Sequence, residues 1–361
     1  MITIGIDPHK KSHTAVAVDS QTGELRGELT VATDPGGHTE LIAWARELDS
    51  KRRFALEDCR HVSGRLEREL IARGERVLRV PPKLMGQERR SEREFGKSDP
   101  IDAAAVARAA LRHPDLPEAH LDPGAREIKL LVDHREDLVR ERTAIVGRLR
   151  WHLHDVAADL EPQLRSLARD HVRRSLAQRL ARRPQTTQVA ICRELLQRVG
   201  EITRRERELR SEIGQRVRAY APELLELPGC AELTAAKLLG EIAGAKRFSS
   251  DAQLARHAGC APLEASSGKR RRHRLSRRGN RQLNCAFHRI AVTQARVHPE
   301  ARAYLERKRA EGKSTREAIR CLKRHLTRRV WRLLNESEID TSMTTFNTQR
   351  GMSSPQVAVA A

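Results

Sequence analysis

Ile2-Thr3-Ile4-Gly5-Ile6-Asp7 is an apolar run of strand length that closes on a carboxylate, and its reading decides the fold of the N-terminal region. The pattern returns at Phe54-Ala55-Leu56, which ends on Glu57. Both acids sit where a strand presents side chains at the edge of a sheet. A further pair stands in Lys97-Ser98-Asp99-Pro100-Ile101-Asp102-Ala103. Pro100 fits the first turn of a helix, so Asp99 and Asp102 fall three residues apart at its start. Together Asp7, Glu57, Asp99 and Asp102 supply the hard oxygen donors that a divalent metal needs for phosphoryl chemistry. The same helical acids also read as plain helix starters, Asp99 as the N-cap and Asp102 as a favourable charge on the dipole.

Working outward, residues 2–6, 14–18 and 27–32 read as strands, and Asp19-Ser20-Gln21-Thr22-Gly23 joins the last two as a hairpin. Helical spacing follows at 38–48, a strand at 53–56, a helix at 63–72, a strand at 76–80 and a helix at 99–111. The order β-β-β-α-β-α-β-α matches a ribonuclease-H-like α/β fold, in which the first and fourth strands are neighbours and present acids from their ends. This region is expected to span 1–112.

Residues 113–226 change to long, highly charged helix. Val132, Val139 and Val146 recur every seven residues, and Leu195, Ile202 and Leu209 repeat that spacing after a break at Arg183-Pro184. An antiparallel coiled coil, a dimerising arm or a plain helical spacer all fit. A mainly helical C-terminal domain is expected over 227–336, opening with Leu227-Pro228-Gly229, which resembles the hairpin of a helix-hairpin-helix element and can hold a phosphate on backbone amides. Ala231 stands where that motif has a second glycine. Asn280 is expected to cap one helix, and Ser314-Thr315-Arg316-Glu317 reads as a capping box for the last. The Thr, Ser and Gln content of 337–361 reads as a disordered tail.

Composition narrows the function. The 361 residues carry a formal net charge of +21 with 39% apolar and only 3% aromatic residues. Such an excess of positive charge points to a polyanion, and the scarcity of aromatic rings favours phosphate contact over base stacking. An arginine-rich composition alone is the other reading. The six cysteines form no C-x-x-C pair, so neither a disulfide framework nor a zinc knuckle is suggested, and they read as small buried residues. No apolar run reaches membrane-spanning length and Asp7 interrupts any leader, so a cytoplasmic, nucleoid-associated prokaryotic protein without membrane contact is expected.

Ala265-Ser266-Ser267-Gly268 reads as an exposed, mobile loop leading into Lys269, Arg270, Arg271, Arg272, Arg274, Arg277, Arg278 and Arg281, with no acid among them. These eight cations form a candidate nucleic-acid-binding stripe. A serine beside them is either a solubilising loop residue or a nucleophile whose phosphate partner is stabilised by guanidinium groups. His9 and His61 lie near the acids in sequence; packing, exposure or proton transfer are all open to them.

Gly5-Ile6-Asp7 with Lys10, Leu56-Glu57, the 97–103 segment, the helical middle, Leu227-Pro228-Gly229 and Ser267-Gly268-Lys269 occur in the order that resembles the IS110 insertion-sequence transposases. The resemblance implies an N-terminal domain like the junction resolvase RuvC, with an Asp-Glu-Asp-Asp set binding Mg²⁺, or Mn²⁺ in its place. It also implies a C-terminal serine transposase domain whose serine attacks DNA, and a structured non-coding guide RNA, the bridge RNA, that pairs with donor and target duplexes. A homo-oligomer, dimer or tetramer, would assemble the site. Carried onto this chain, the metal ligands are Asp7, Glu57, Asp99 and Asp102, and the nucleophile is Ser267 rather than Ser266. Asp58 adds a neighbouring carboxylate to Glu57. The expected function is DNA breakage and rejoining in transposition; the alternatives are a junction-resolving nuclease without a covalent link, or an inert nucleic-acid-binding scaffold.

Overall fold

The computed structural model describes all residues except 59, 92–97, 164–165, 267–272, 275, 277–278 and 351–361, together with the side chains of 60–61, 91 and 337–350. The N-terminal region forms one sheet from β1 (Ile2–Pro8), β2 (Ser12–Asp19), β3 (Leu25–Ala32), β4 (Arg52–Glu57) and β5 (Val77–Val80), in the order β3-β2-β1-β4-β5. The first two pairings are antiparallel; β1 with β4 and β4 with β5 are parallel. This is the strand order expected of a ribonuclease-H-like sheet, with the first and fourth strands side by side.

Strand alternation divides the side chains between two faces. Ile2, Ile4, Ile6, Ala15, Ala17, Phe54 and Leu56 bury against α1 (Pro35–Leu48) and α2 (Arg60–Ala72) through Leu41, Ile42, Leu66 and Leu70. The opposite face carries Gly5, Val16, Val18 and Ala55. It packs on α4 (Asp99–Arg112) through Ala103, Ala104, Ala107 and Val106. The alanine run lets α4 approach closely, and Gly5 lets it closer still: a β-carbon there would meet the carbonyl oxygen of Ala103 at 2.0 Å.

Two local expectations change. A helix unforeseen in the sequence, α3 (Pro82–Ser91), lies between β5 and α4, its Leu84 and Met85 against Leu78 and Val80. Ser98, not Asp99, caps α4, its hydroxyl accepting from the Ile101 N–H at 3.4 Å. A serine hydroxyl satisfies the orphan donors as well as a carboxylate does, and this leaves the Asp99 side chain outside the cap.

Beyond the sheet follow α5 (Pro123–Val156), α6 (Asp170–Ala181), α7 (Thr187–Tyr220), α8 (Glu232–Ile242) and α9 (Asp251–His257). After a short antiparallel pair, β6 (Leu263–Glu264) and β7 (His273–Arg274), come α10 (Arg281–Val297), α11 (Pro299–Ala310) and α12 (Thr315–Arg350). The chain divides into two compact units. One comprises Met1–Asp122, Ala243–Asn284 and Arg320–Ile339, so the sheet and the β6–β7 hairpin belong together. Inside it the Asp115 carboxylate pairs with Arg256, and Gln253 Nε2 donates to the Asp115 carbonyl at 2.9 Å. The other unit includes Pro123–Ile242 and Cys285–Ile319. There α5 and α7, 34 residues each, share a core of Ile145, Leu149, Leu153, Cys192, Leu196 and Val199.

Asn280 caps α10, with Oδ1 accepting from the Leu283 N–H at 3.0 Å, and Ser314 and Glu317 form the capping box of α12. Cys285 is exposed, in contrast to the buried Cys192, Cys230 and Cys260. Of the tail expected to be disordered over 337–361, the backbone of 337–350 continues α12, and the residues from 351 onward lie outside the described residues. No described helix is long and apolar enough to cross a membrane.

Candidate metal centre at the end of the central strands

Asp7 occupies the last turn of alternation on β1, opposite Thr14 of β2, and its side chain lies on the face covered by α4. Glu57 ends β4 one residue past the paired couple Ile6 and Leu56, on that same face. Because α4 is seated on Gly5, its first turn arrives beside Asp7. Gly5, two residues upstream of Asp7, thereby sets where Asp99 and Asp102 stand.

The geometry at this corner is specific. His9, just beyond β1, places Nε2 3.1 Å from Asp7 Oδ2 and 3.4 Å from Asp99 Oδ1. Ligand atoms of Asp7, His9 and Asp99 all lie within 4.8 Å of one another. Glu57 and Asp102 stand outside that cluster. Asp102 is buried and its Oδ1 accepts from Arg89 Nη1 on α3 at 3.0 Å. Burial pushes the Asp7 carboxyl above its ordinary range; His9 opposes the rise, while the charges of Asp102 and Asp99 add to it. An acid raised by burial and by like charge is a site that a cation would relieve. The Asp7 and Asp99 carboxylates supply the oxygen donors that such an ion takes, so on these groups the residues present fit the expected metal, while the His9 imidazole is a nitrogen donor outside its preference.

His9 and Arg89 are the residues that sequence reasoning undervalued or missed. His9 follows the strand-ending acid by two residues, which is a signal in the sequence; Arg89 has none, being one of 69 Lys and Arg residues in the chain and lying on the unexpected helix α3. Asp58, half-buried, donates its backbone N–H to the Val80 carbonyl at 2.9 Å.

The second candidate site falls on β6, β7 and the segment between them. Register pairs Leu263 with Arg274 and Glu264 with His273. Ser266 is described and half-buried, and Arg274 and Arg281 are exposed. Ser267, Lys269, Arg270, Arg271, Arg272, Arg277 and Arg278 lie outside the described residues, as does the His61 side chain. In the other unit Gly229, at φ +82°, turns the chain against Thr293 and Ile290 of α10.

Comparison with known proteins agrees with this layout. A family model for a transposase of the Asp-Glu-Asp-Asp IS110 type matches residues 4–157, and one described as transposase IS116/IS110/IS902 family matches 221–306. An uncharacterized 44.8 kDa protein of insertion element IS116 from Streptomyces clavuligerus is 26% identical over 94% of this chain and 96% of its own length. The uncharacterized 42 kDa protein of IS900 from Mycobacterium paratuberculosis is 26% identical over 94% and 97%. That of IS110 from Streptomyces coelicolor is 35% identical over 31% of this chain and 29% of its own. Among solved structures, T. thermophilus RuvC in complex with Holliday junction substrate is 15% identical, with a TM-score of 0.26, and matches 32% of this chain and 94% of that one. The fold assignment stands on strand order and not on that last likeness. With both family models in chain order and two relatives aligned from end to end, the chain belongs to the IS110 family of insertion-element transposases.

Proposed function

We propose that the protein breaks and rejoins DNA during transposition of its insertion element, with Asp7, Glu57, Asp99 and Asp102 serving a divalent metal, Mg²⁺ or Mn²⁺, and Ser267 as the nucleophile. The observation that carries the reading is the convergence at one sheet corner: β1 and β4 run parallel and side by side, and α4 is seated on Gly5 of the same face. Bound there, the metal would neutralise phosphate oxygens and stabilise a leaving oxygen. Arg89 orients the Asp102 carboxylate, and His9 holds Asp7 and Asp99 at a fixed separation. The β6–β7 hairpin belongs to the same compact unit as this corner, which supports a joint role for the Ser267 segment. A structured guide RNA pairing with donor and target duplex, and a homo-oligomer built on the α5 and α7 arm, complete the proposal.

The test is strand cleavage of a duplex carrying the element's end, with its flanking non-coding RNA, in Mg²⁺ and in chelator. Asp7→Ala and Asp102→Ala are expected to abolish cleavage while DNA binding persists. Cleavage at the parental rate by either variant removes the metal reading.

A further inference from the structure

On the opposite face of the same sheet end lies a cavity of about 230 Å³, lined by Lys10, His13, Thr33, His38, Val62 and Arg65. His13 and His38 are 1% and 0% exposed, and their rings stack with centroids 5.5 Å apart. Nδ1 of His13 and Nε2 of His38 are buried without a hydrogen-bond partner. Leaving such groups unpaired costs free energy, so their persistence calls for a ligand.

The chemistry of the lining selects the ligand's sign. His38 Nδ1 faces the Glu69 carboxylate, which requires a proton on that nitrogen and orients Nε2 the other way. Lys10 and Arg65 are exposed and have no carboxylate partner among the described residues. Among the described residues no acid lines the cavity. A cation would meet two fixed positive charges, whereas a tetrahedral oxyanion would gain both of them and the N–H of the buried His13 Nδ1 in the tautomer that carries its proton there, the Thr33 hydroxyl being already given to the Lys10 carbonyl and the His38 proton to Glu69. The volume admits a phosphate with part of its sugar.

Position selects the source. The tight turn after β1, closed by the His9 N–H on the Ser12 carbonyl, carries His9 to the acids and Lys10 to the cavity. Thr33 Oγ1 donates to the Lys10 carbonyl at 3.0 Å and pins that turn to the end of β3. One sheet end thus offers a carboxylate corner on one face and a cationic cavity on the other. We infer that the cavity holds a phosphate group of the DNA strand whose nearby phosphodiester is presented to Asp7 and Asp99, an assignment that rests on the function proposed above.

The experiment follows the ring resonances of His13 and His38 in the full chain, in chelator, as inorganic phosphate and then duplexes with a 5′-phosphate or a 5′-hydroxyl end are added. Both rings are expected to shift with phosphate and with DNA. A shift from the 5′-phosphate duplex alone assigns a terminal phosphate, and one from both duplexes an internal phosphodiester. Lys10→Gln with Arg65→Gln, surface changes that leave the core intact, are expected to weaken duplex binding about tenfold or more and to suppress the ring shifts. Asp7→Asn is expected to keep them, which separates failure at the carboxylates from failure here. Rings unmoved by phosphate and DNA, or parental duplex binding by the double variant, overturn the assignment.

Discussion

The carbonyl oxygen of Ala103 lies so close to Gly5 that a β-carbon on the glycine would stand 2.0 Å from it, and 2.5 Å from the backbone nitrogen of Ala107. Both obstacles are helix backbone, which cannot rotate aside. Gly5→Ala must therefore lift α4 from the sheet, at a cost of about 3 kcal/mol or more. The expected outcome is a melting temperature lower by roughly 2–4 °C per kcal/mol, with loss of strand cleavage. Gly147→Ala, on α5 with nothing within 4 Å of its β-carbon, serves as control and is expected to be neutral or slightly stabilising. A Gly5→Ala protein as stable as the parent removes the account of how α4 is placed.

The second prediction concerns Asp7, whose carboxyl is raised from 3.8, first by burial. The folded state binds that proton more tightly than the unfolded chain does. The corresponding stability is present below the unfolded value and is lost as pH rises through the folded one. At neutral pH the ionised group is thus a cost, and Asp7→Asn is expected to raise the melting temperature in chelator by a few degrees. The gain should vanish below pH 3.8. Adding Mg²⁺ should reverse the ranking, since a ligand at a hundred times its Kd contributes about 2.7 kcal/mol to the parent alone. Equal stabilisation of parent and variant by the metal places it elsewhere.

His13 gives a pH dependence of opposite sign. Burial, with the charges of His38 and His9, lowers its pKa from 6.5 to about 4. Between those values the unfolded chain binds a proton that the folded one refuses, so stability falls as pH falls through the window. The loss is on the order of 2–3 kcal/mol. Denaturant titrations at pH 7 and pH 4.5 measure it, and His13→Asn is expected to flatten the difference. An undiminished slope in the variant assigns the acid sensitivity to other groups.

Much of this corner was legible from period-two alternation, because Gly5, Asp7, Ala55 and Glu57 share one parity and the Ile2, Ile4, Ile6 and Phe54, Leu56 sets share the other. Alternation alone assigns Asp7 and Glu57 to one face. What it hid has physical reasons. Helix α3 opens on Pro81-Pro82 and offers Leu84 and Met85 as its anchors, too few for a periodic signal, so Arg89 and its hold on Asp102 stayed invisible. Ser98 and Asp99 are both good caps, and only the backbone decides between them. The cavity draws His13 from β2, His38 from α1 and Arg65 from α2, a convergence that sequence spacing does not encode.

Salt dependence tests the partner. If the charge of +21 serves phosphate contact, the logarithm of the DNA-binding constant should fall linearly with that of salt. Six neutralised phosphates correspond to a loss of about a thousandfold between roughly 50 and 200 mM. Changing Arg270, Arg271 and Arg272 together to Ala should make the slope shallower. A flat plot for the parent excludes extensive phosphate contact.

The last prediction separates a covalent transposase from a hydrolytic nuclease through Ser267. If its Oγ attacks phosphorus, an Oγ–P bond forms, the strand's P–O ester bond breaks, and the released strand hydroxyl takes up the proton that the serine gives away. The phosphodiester is conserved as a link to protein, so a later DNA hydroxyl can reverse the step and rejoin strands without an external energy source. Water as the attacking group leaves no such link. Denaturing a stalled reaction should therefore trap a DNA–protein adduct whose mass maps to Ser267. Ser267→Ala should eliminate the adduct, and Ser266→Ala should have the smaller effect. If the parental protein accumulates cleaved ends with no adduct and Ser267→Ala cuts equally well, hydrolysis at the carboxylate corner replaces the covalent step.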